Sequence, residues 1–218
     1  QDLNGNFDIC DGDGAGVRVC STHTGGLYAG QSSSGSRYNN AIYYTTPSLG
    51  GLTAHAMIAA GDNNSEICST ANCAAERPIG LGVDYAAGPV RISAAYDRNA
   101  DDKKTTGIYG SYNAGFATFM AQWEKGDIYS TTIKDVSRWS IGAKVPFGAA
   151  ALKAGYTKWS DEDVKKFGIG VDYSLSKRTT LYSDVGKLSG NGKAGTPAGV
   201  LSSNNRKARF DVGINHKF

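Results

Sequence analysis

The chain has 218 residues with a formal net charge of +3, and its Lys and Arg are spread along it without a basic patch, so nucleic acid is not expected as a partner. No apolar run reaches the about 18 residues of a helical membrane span, and Gln1 opens no recognisable signal peptide. With 29 Gly and 12 Tyr, the composition is compatible with two classes of protein. One is a soluble β protein, and the other is a membrane β-barrel, whose strands alternate apolar and polar residues and therefore contain no long apolar run.

Four cysteines occur as two close pairs in loop-like sequence, Cys10 with Cys20 and Cys68 with Cys73. A metal site would need CxxC knuckles or histidines at ligand spacing, which neither pair supplies. Two local disulfides in an oxidising compartment are therefore predicted. Four cysteines allow several pairings, so this connectivity rests on proximity alone.

From Tyr38 onward, the sequence repeats the two-residue period of half-buried strands. Clear examples in chain order are PIGLGVDY (78–85), VRISAAYDR (90–98), SRWSIGAKVPFG (137–148), KFGIGVDYSLS (166–176) and the terminal RFDVGINHKF (209–218). Each places apolar residues on one face and mainly Gly, Ser, Asp, Lys and Arg on the other. The pattern predicts about eleven strands of roughly ten residues and no amphipathic helix.

The connections between these runs alternate in length. Short ones fall at 48–51, 86–89, 113–115 and 147–150, and long polar ones at 62–76, 127–135 and 190–205. Such alternation predicts an up-and-down antiparallel meander with tight turns at one rim and long loops at the other.

The two-residue alternation does not show which face of the sheet points inward. A soluble sandwich or lipocalin-like barrel would place the apolar face inside. Aromatic residues at strand ends, such as Tyr85, Trp139 and Phe147, suit girdles at two membrane interfaces. Polar faces rich in Gly and in opposite charges suit a water-filled lumen. The apolar side chains also lack the mixed volumes of a packed core. These features favour an apolar face directed towards lipid.

Three stretches in order resemble the trimeric general porins of Gram-negative bacteria, of the type common in β-proteobacteria: SRYNNAIYYTTPSLGGLTAHAMIAAG (36–61), SLSKRTTLYSDVG (174–186) and FDVGINHKF (210–218). The resemblance implies an all-β transmembrane antiparallel up-and-down barrel in the outer membrane. Family barrels have about sixteen strands. The strands here match the later ones, from about the sixth, so the N-terminal strands and the signal peptide are expected to be missing.

The resemblance divides the chain into 1–36, matching an external loop that folds into the barrel and narrows it, and 37–218, the barrel strands. Arg37 matches a family arginine that projects into the narrowing. The loop contributes further charges: Asp8, Asp11, Asp13 and Arg18. An acidic loop facing a basic wall would create a transverse field that selects ions. The alternative is an ordinary solvated loop with an exposed arginine.

Parity places a further set of charges on the lumen side: Arg91, Asp97, Arg138, Lys144, Lys153, Asp172, Arg209, Asp211 and Lys217. Basic residues outnumber acidic ones in this set, which favours anions. His55 is interpreted as a wall residue. Phe210 and Phe218 match the terminal pattern that, in the family, signals to the barrel assembly machinery.

The resemblance implies a homotrimer embedded in outer-membrane lipid, through which small hydrophilic solutes, and anions in particular, diffuse passively. No cofactor is implied. No enzyme is indicated, because His23, His55 and His216 are scattered and no nucleophile has an obvious base. The alternatives are a substrate-selective channel, a soluble secreted β-barrel or sandwich that binds a ligand or glycan, and a receptor or adhesin role for the long loops.

Overall fold

The computed structural model describes residues 40–60, 77–98, 102, 104–126, 136–159, 163–191 and 208–218. These residues form one antiparallel sheet of eleven strands in chain order. The strands are β1 (Ala41–Thr45), β2 (Leu52–Ala59), β3 (Ile79–Ala87), β4 (Val90–Arg98), β5 (Lys104–Asn113), β6 (Thr118–Gly126), β7 (Val136–Phe147), β8 (Ala150–Trp159), β9 (Asp163–Ser174), β10 (Thr179–Asn191) and β11 (Ala208–His216). The predicted all-β, up-and-down antiparallel fold is confirmed. Within these ranges, no helix is long and apolar enough to cross a membrane.

The strand connections fall at two rims. At the first rim they are 46–51, 88–89, 114–117, 148–149 and 175–178, and at the second rim 60–78, 99–103, 127–135, 160–162 and 192–207. Two of the tight turns contain a glycine with a left-handed backbone, Gly88 with φ 53° and Gly148 with φ 60°, as two-residue hairpin loops require. The second rim also includes two short connections, 99–103 and 160–162, which the sequence pattern had not distinguished.

The two faces of the sheet differ in the opposite sense to a soluble protein. Large apolar side chains on one face, here called the apolar face, are exposed, among them Leu81, Ile92, Ile108, Ile141, Leu152, Phe167, Val185 and Phe210. The opposite face, here called the polar face, buries charged groups, with Arg138 and Lys153 both 0% exposed. This inversion is the pattern of a membrane barrel, because lipid takes the place of a protein core against the apolar side chains.

The aromatic ring of Tyr182, on the polar face, occupies space that a glycine on the neighbouring strand leaves open. Its register partner on β11 is Gly213, and a Cβ added at Gly213 would collide with the Tyr182 ring. The ring therefore lies over the neighbouring backbone, which covers the glycine and fixes the β10–β11 register.

Candidate functional site

The charged side chains of the polar face form connected clusters across neighbouring strands. The first, here called the Arg138 cluster, consists of Tyr109 on β5, Glu124 on β6 and Arg138 on β7. Glu124 and Arg138 are register partners, so their side chains leave the sheet side by side. One carboxylate oxygen of Glu124 pairs with the Arg138 guanidinium, and the other accepts a 2.7 Å hydrogen bond from the Tyr109 hydroxyl.

Gly107 provides the space for this arrangement. It lies opposite Glu124 in the register, and a Cβ at Gly107 would collide with the Tyr109 side chain. The Tyr109 ring consequently lies along its own strand and its hydroxyl reaches Glu124. Both carboxylate oxygens are thus engaged, as a buried ion pair requires if it is not to destabilise the fold.

The second cluster, here called the Lys153 cluster, consists of Lys144, Lys153, Asp172 and Asp184. Lys153 donates a 2.6 Å hydrogen bond to Asp172 Oδ1, and its Nζ lies 3.7 Å from Asp184 Oδ1. Lys144 is the register partner of Lys153 and lies 3.9 Å from the other oxygen of Asp172. The carboxylate of Asp172 therefore offsets the repulsion between two ammonium groups on adjacent strands.

Lys153 and Asp184 are on strands that do not pair with each other. Both have Gly170 of β9 as register partner, and a Cβ at Gly170 would collide with the Asp184 carboxylate. The absent side chain allows the two charges to meet across the intervening strand.

A third group links the first strands of the sheet. His55 Nδ1 lies 3.0 Å from the Thr45 hydroxyl, and His55 Nε2 lies 2.7 Å from Asp84. Ser93 donates to the other oxygen of Asp84. His55 lies on the polar face, as expected for a wall residue. Its hydrogen bonds, together with the one from Ser93 to Asp84, connect β1, β2, β3 and β4.

The surface between the clusters is uncharged and small. Ser140 hydrogen-bonds Thr157 at 2.9 Å and receives a 3.4 Å bond from Gln122. A row of paired glycines crosses β7 to β10 on the same face: Gly142, Gly155, Gly168 and Gly186. Because these residues have small side chains or none, the charged clusters contain most of the side-chain volume on this part of the polar face.

The structure places most of the charges predicted by parity on the polar face, namely Arg91, Asp97, Arg138, Lys144, Lys153, Asp172 and Asp211. Asp211 is the register partner of Asp184, and Arg209 is the partner of Gly186, although the Arg209 side chain is outside the described part. The predicted constriction residues Asp8, Asp11, Asp13, Arg18 and Arg37, with Cys10, Cys20, Cys68 and Cys73, lie outside the described residues, as does the segment 1–36. Phe210 is exposed on the apolar face, and the Phe218 ring packs edge-on against His216 at 5.0 Å.

The predicted set of wall charges left out the acidic partners Asp84, Glu124 and Asp184. Alternation placed Asp84 on the polar side of its strand, and the same parity applied to Glu124 and Asp184 would have identified their face. With them included, the polar face carries nearly balanced charge in place of a basic excess. The described residues contain no group of three or more His, Cys, Asp or Glu able to hold a metal ion.

Comparisons with known proteins agree with this architecture. The family model for the Gram-negative porin matches residues 4–193. Outer membrane porin protein 32 of Delftia acidovorans is 26% identical over 210 residues, which covers 87% of this chain and 59% of that protein. An outer membrane porin protein of Bordetella pertussis is 24% identical over 198 residues, covering 67% of this chain and 51% of that protein.

Solved structures show the same fold at low sequence identity. A triple mutant of the Rhodopseudomonas blastica porin superposes with a TM-score of 0.60 at 17% identity, covering 82% of this chain and 55% of that one. A loop-deletion mutant of OmpT, an outer membrane protein of Vibrio cholerae, gives a TM-score of 0.60 at 14% identity, with 81% and 62% covered. The chain thus spans about half to three fifths of the length of these proteins. It belongs to the Gram-negative porin family and is an outer-membrane protein with the porin fold.

Proposed function

We propose that this chain forms part of the wall of a water-filled outer-membrane channel through which small hydrophilic solutes and ions diffuse passively. The observation that carries this proposal is the inversion of the two faces of the sheet. Charged clusters occupy one face of an eleven-stranded meander, and large apolar side chains are exposed on the other. A porin barrel directs the first face to water and the second to lipid.

Anion preference is the finer part of the proposal. The carboxylates of Glu124, Asp172 and Asp184 each lie against a cation, so they contribute little net negative charge at the wall. Arg91 is exposed on the polar face, and Lys144 keeps 38% of its side chain exposed. Exposed cations at a channel wall attract anions more than compensated pairs do.

The resemblance to the general porins extends the proposal to residues outside the described part. We assign the acidic stretch with Asp8, Asp11 and Asp13, followed by Arg18, to a loop that narrows the channel, and Arg37 to the wall that faces it. The transverse field across that narrowing then acts together with the exposed Arg91 and Lys144 in selecting ions. Cys10 with Cys20 and Cys68 with Cys73 are assigned as loop disulfides.

Assembly is the third part of the proposal. We propose that the functional form is a homotrimer in outer-membrane lipid. We also propose that Phe218 and Phe210 belong to the signal that the barrel assembly machinery recognises. Phe218 is fully exposed and Phe210 is 70% exposed, so both rings are accessible at the end of the chain.

The test is the zero-current potential across a planar lipid bilayer under a salt gradient, with single insertions of the purified protein recorded. Conductance steps in groups of three and a potential of anion sign are expected. Arg37→Glu should move the potential towards cation preference, while Arg178→Glu, the same charge change in the exposed 175–178 turn, should move it less. An absence of conductance from intact, full-length, detergent-folded protein would overturn the channel, and a potential of cation sign would overturn the anion preference.

A further inference from the structure

Two tyrosines of the polar face lie over glycines, but they differ in what their hydroxyl groups contact. The Tyr109 hydroxyl donates to Glu124, and the side chain is buried. Tyr182 lies over Gly213 and is half-buried. Its hydroxyl makes no hydrogen bond within the described part of the chain. Tyr109 therefore belongs to the packing of the sheet, whereas the ring and the hydroxyl of Tyr182 are accessible from the polar side.

The side chains around Tyr182 offer both hydrogen-bond donors and acceptors. Asp172 is the register partner of Tyr182 on β9, and Asp211 on β11 is its diagonal neighbour, at about 7–8 Å. The Lys144 ammonium lies 3.9 Å from Asp172 Oδ2, and 38% of the Lys144 side chain is exposed. We call these four residues, Tyr182, Asp172, Asp211 and Lys144, the Tyr182 site.

Asp211 is the least compensated charge of the Tyr182 site. Its register partner is Asp184, and like charges directly opposite each other destabilise a sheet. Lys153 lies 3.7 Å from Asp184 Oδ1. In contrast, no ion pair or side-chain hydrogen bond of Asp211 occurs among the described residues. A half-buried carboxylate that keeps its acceptor capacity at a cost to the sheet is typical of a functional position.

The Tyr182 site lies near the first rim. Tyr182 is three residues from the first residue of β10, about 10 Å along the strand, and Asp172 is two residues before the end of β9. The mouths of β-barrels are common positions for small-molecule sites. In porins the long loops are extracellular, so the first rim, with the shorter connections, faces the periplasm.

We propose that the Tyr182 site binds a neutral monosaccharide on its way through the channel, an inference that rests on the proposed function. A tyrosine ring that covers a glycine lies along the sheet and turns its outer face away from it. The C–H face of a pyranose ring packs against an aromatic face of this kind. The hydroxyl groups of the sugar both donate and accept, so they bond the Asp211 carboxylate and the Lys144 ammonium.

The charges of the Tyr182 site argue for a neutral ligand. An organic cation would fit the aromatic ring and the carboxylates, but Lys144 would repel it. An anion would be attracted by Lys144 and repelled by Asp211. A polyhydroxylated ring uses the donors and the acceptors together and is repelled by neither.

The test measures the conductance of the full-length protein in a planar lipid bilayer while D-glucose is added on both sides. Glucose should lower the conductance saturably. Tyr182→Leu should raise the half-saturating concentration about two- to tenfold, the range expected for loss of one aromatic contact. Tyr182→Phe keeps the ring and should have a smaller effect. Tyr43→Leu removes another exposed tyrosine of the polar face, on β1, and should have none.

Asp211→Asn separates loss of binding from loss of folding. It removes a charged acceptor, so the half-saturating glucose concentration should rise about three- to tenfold. The same change also removes the repulsion with Asp184, so the free energy of unfolding in urea should increase. Weaker binding by a more stable protein does not arise from misfolding.

The proposal is overturned if sorbitol, which has similar hydroxyl groups but no ring, lowers the conductance as glucose does. An effect of Tyr182→Leu no larger than that of Tyr43→Leu would exclude the ring as a contact. A quaternary ammonium salt that blocks more strongly than glucose would identify an organic cation as the ligand. Conductance without sugar reports the channel itself. Equilibrium dialysis of labelled glucose against detergent-folded protein reports the site even where no channel forms, so the two proposals fail separately.

Discussion

Lys153 Nζ lies 3.7 Å from Asp184 Oδ1 although β9 separates the two strands that carry these residues. The approach is possible because the residue between them in the register is Gly170. A glycine in a strand normally weakens it, since no side chain packs there. In this case the missing side chain lets two charges from β8 and β10 meet above β9. The polar face therefore contains an ion pair that spans three strands and links them independently of the backbone ladder.

Gly170→Ala should disrupt this link. The added Cβ would collide with the Asp184 carboxylate, and crowding of this kind costs about 1–3 kcal/mol. The free energy of unfolding in urea, followed by the loss of the folded form on gels, measures the effect. Gly110→Ala is the matched control, because its Cβ would meet nothing closer than the Arg91 carbonyl oxygen at 3.9 Å. Equal losses in both variants would contradict the role assigned to Gly170.

Glu124→Gln hardly changes the size of the side chain, but it should lower the free energy of unfolding strongly. Arg138 is 0% exposed and pairs with Glu124, so removing the carboxylate leaves a buried cation with reduced compensation, at a cost of about 3–5 kcal/mol. The urea unfolding free energy again reports the loss.

The double variant Glu124→Gln with Arg138→Gln is the control for this ion pair. It removes both charges, so it should be more stable than Glu124→Gln alone. A double variant that loses as much as the sum of the two single variants would show that the buried ion pair is not the source of the effect.

The two-residue alternation was sufficient to predict the strands, their antiparallel order and the face of each residue. For example, Arg138 and Lys153 were assigned to the polar face by parity, and both are there. Alternation reports which side of a sheet a residue occupies, because successive side chains of a strand point in opposite directions.

The partners of these charges could not be predicted in the same way. The connection between β6 and β7 at 127–135 is long, so turn geometry does not set the register that opposes Glu124 to Arg138. The contact of Lys153 with Asp184 requires two registers at once and the open space above Gly170. Such information depends on tertiary structure and has no short sequence signature.

Deletion of Phe218 should reduce assembly without changing the stability of the assembled protein. The ring lies beyond the end of β11, is fully exposed and packs edge-on against His216, so its loss should alter the unfolding free energy by less than about 0.5 kcal/mol. The amount of folded protein in the outer membrane of an expressing cell should nevertheless fall several-fold if the assembly machinery reads this residue.

Phe116→Ala is the control for Phe218. Phe116 is another exposed aromatic, in the 114–117 turn of the same rim, and it packs edge-on against Phe119. Its loss should leave the folded amount in the membrane unchanged. If deletion of Phe218 and Phe116→Ala reduce assembly equally, exposed aromatic residues at this rim act generally and the terminal signal is not specific.

Ile141→Arg distinguishes a lipid-facing apolar surface from that of a soluble protein. Ile141 lies in the middle of β7, is 52% exposed and has Ala121 and Tyr156 as register partners. In a bilayer, arginine on the lipid face near the midplane costs about 2–4 kcal/mol, and the cost falls to about 0–1 kcal/mol near the interfaces. Phe147→Arg, on the same face at the end of β7, should therefore be much milder when unfolding is measured in lipid vesicles. A soluble β-barrel or sandwich would tolerate arginine at both exposed positions, so equal and small effects would contradict the membrane orientation of this face.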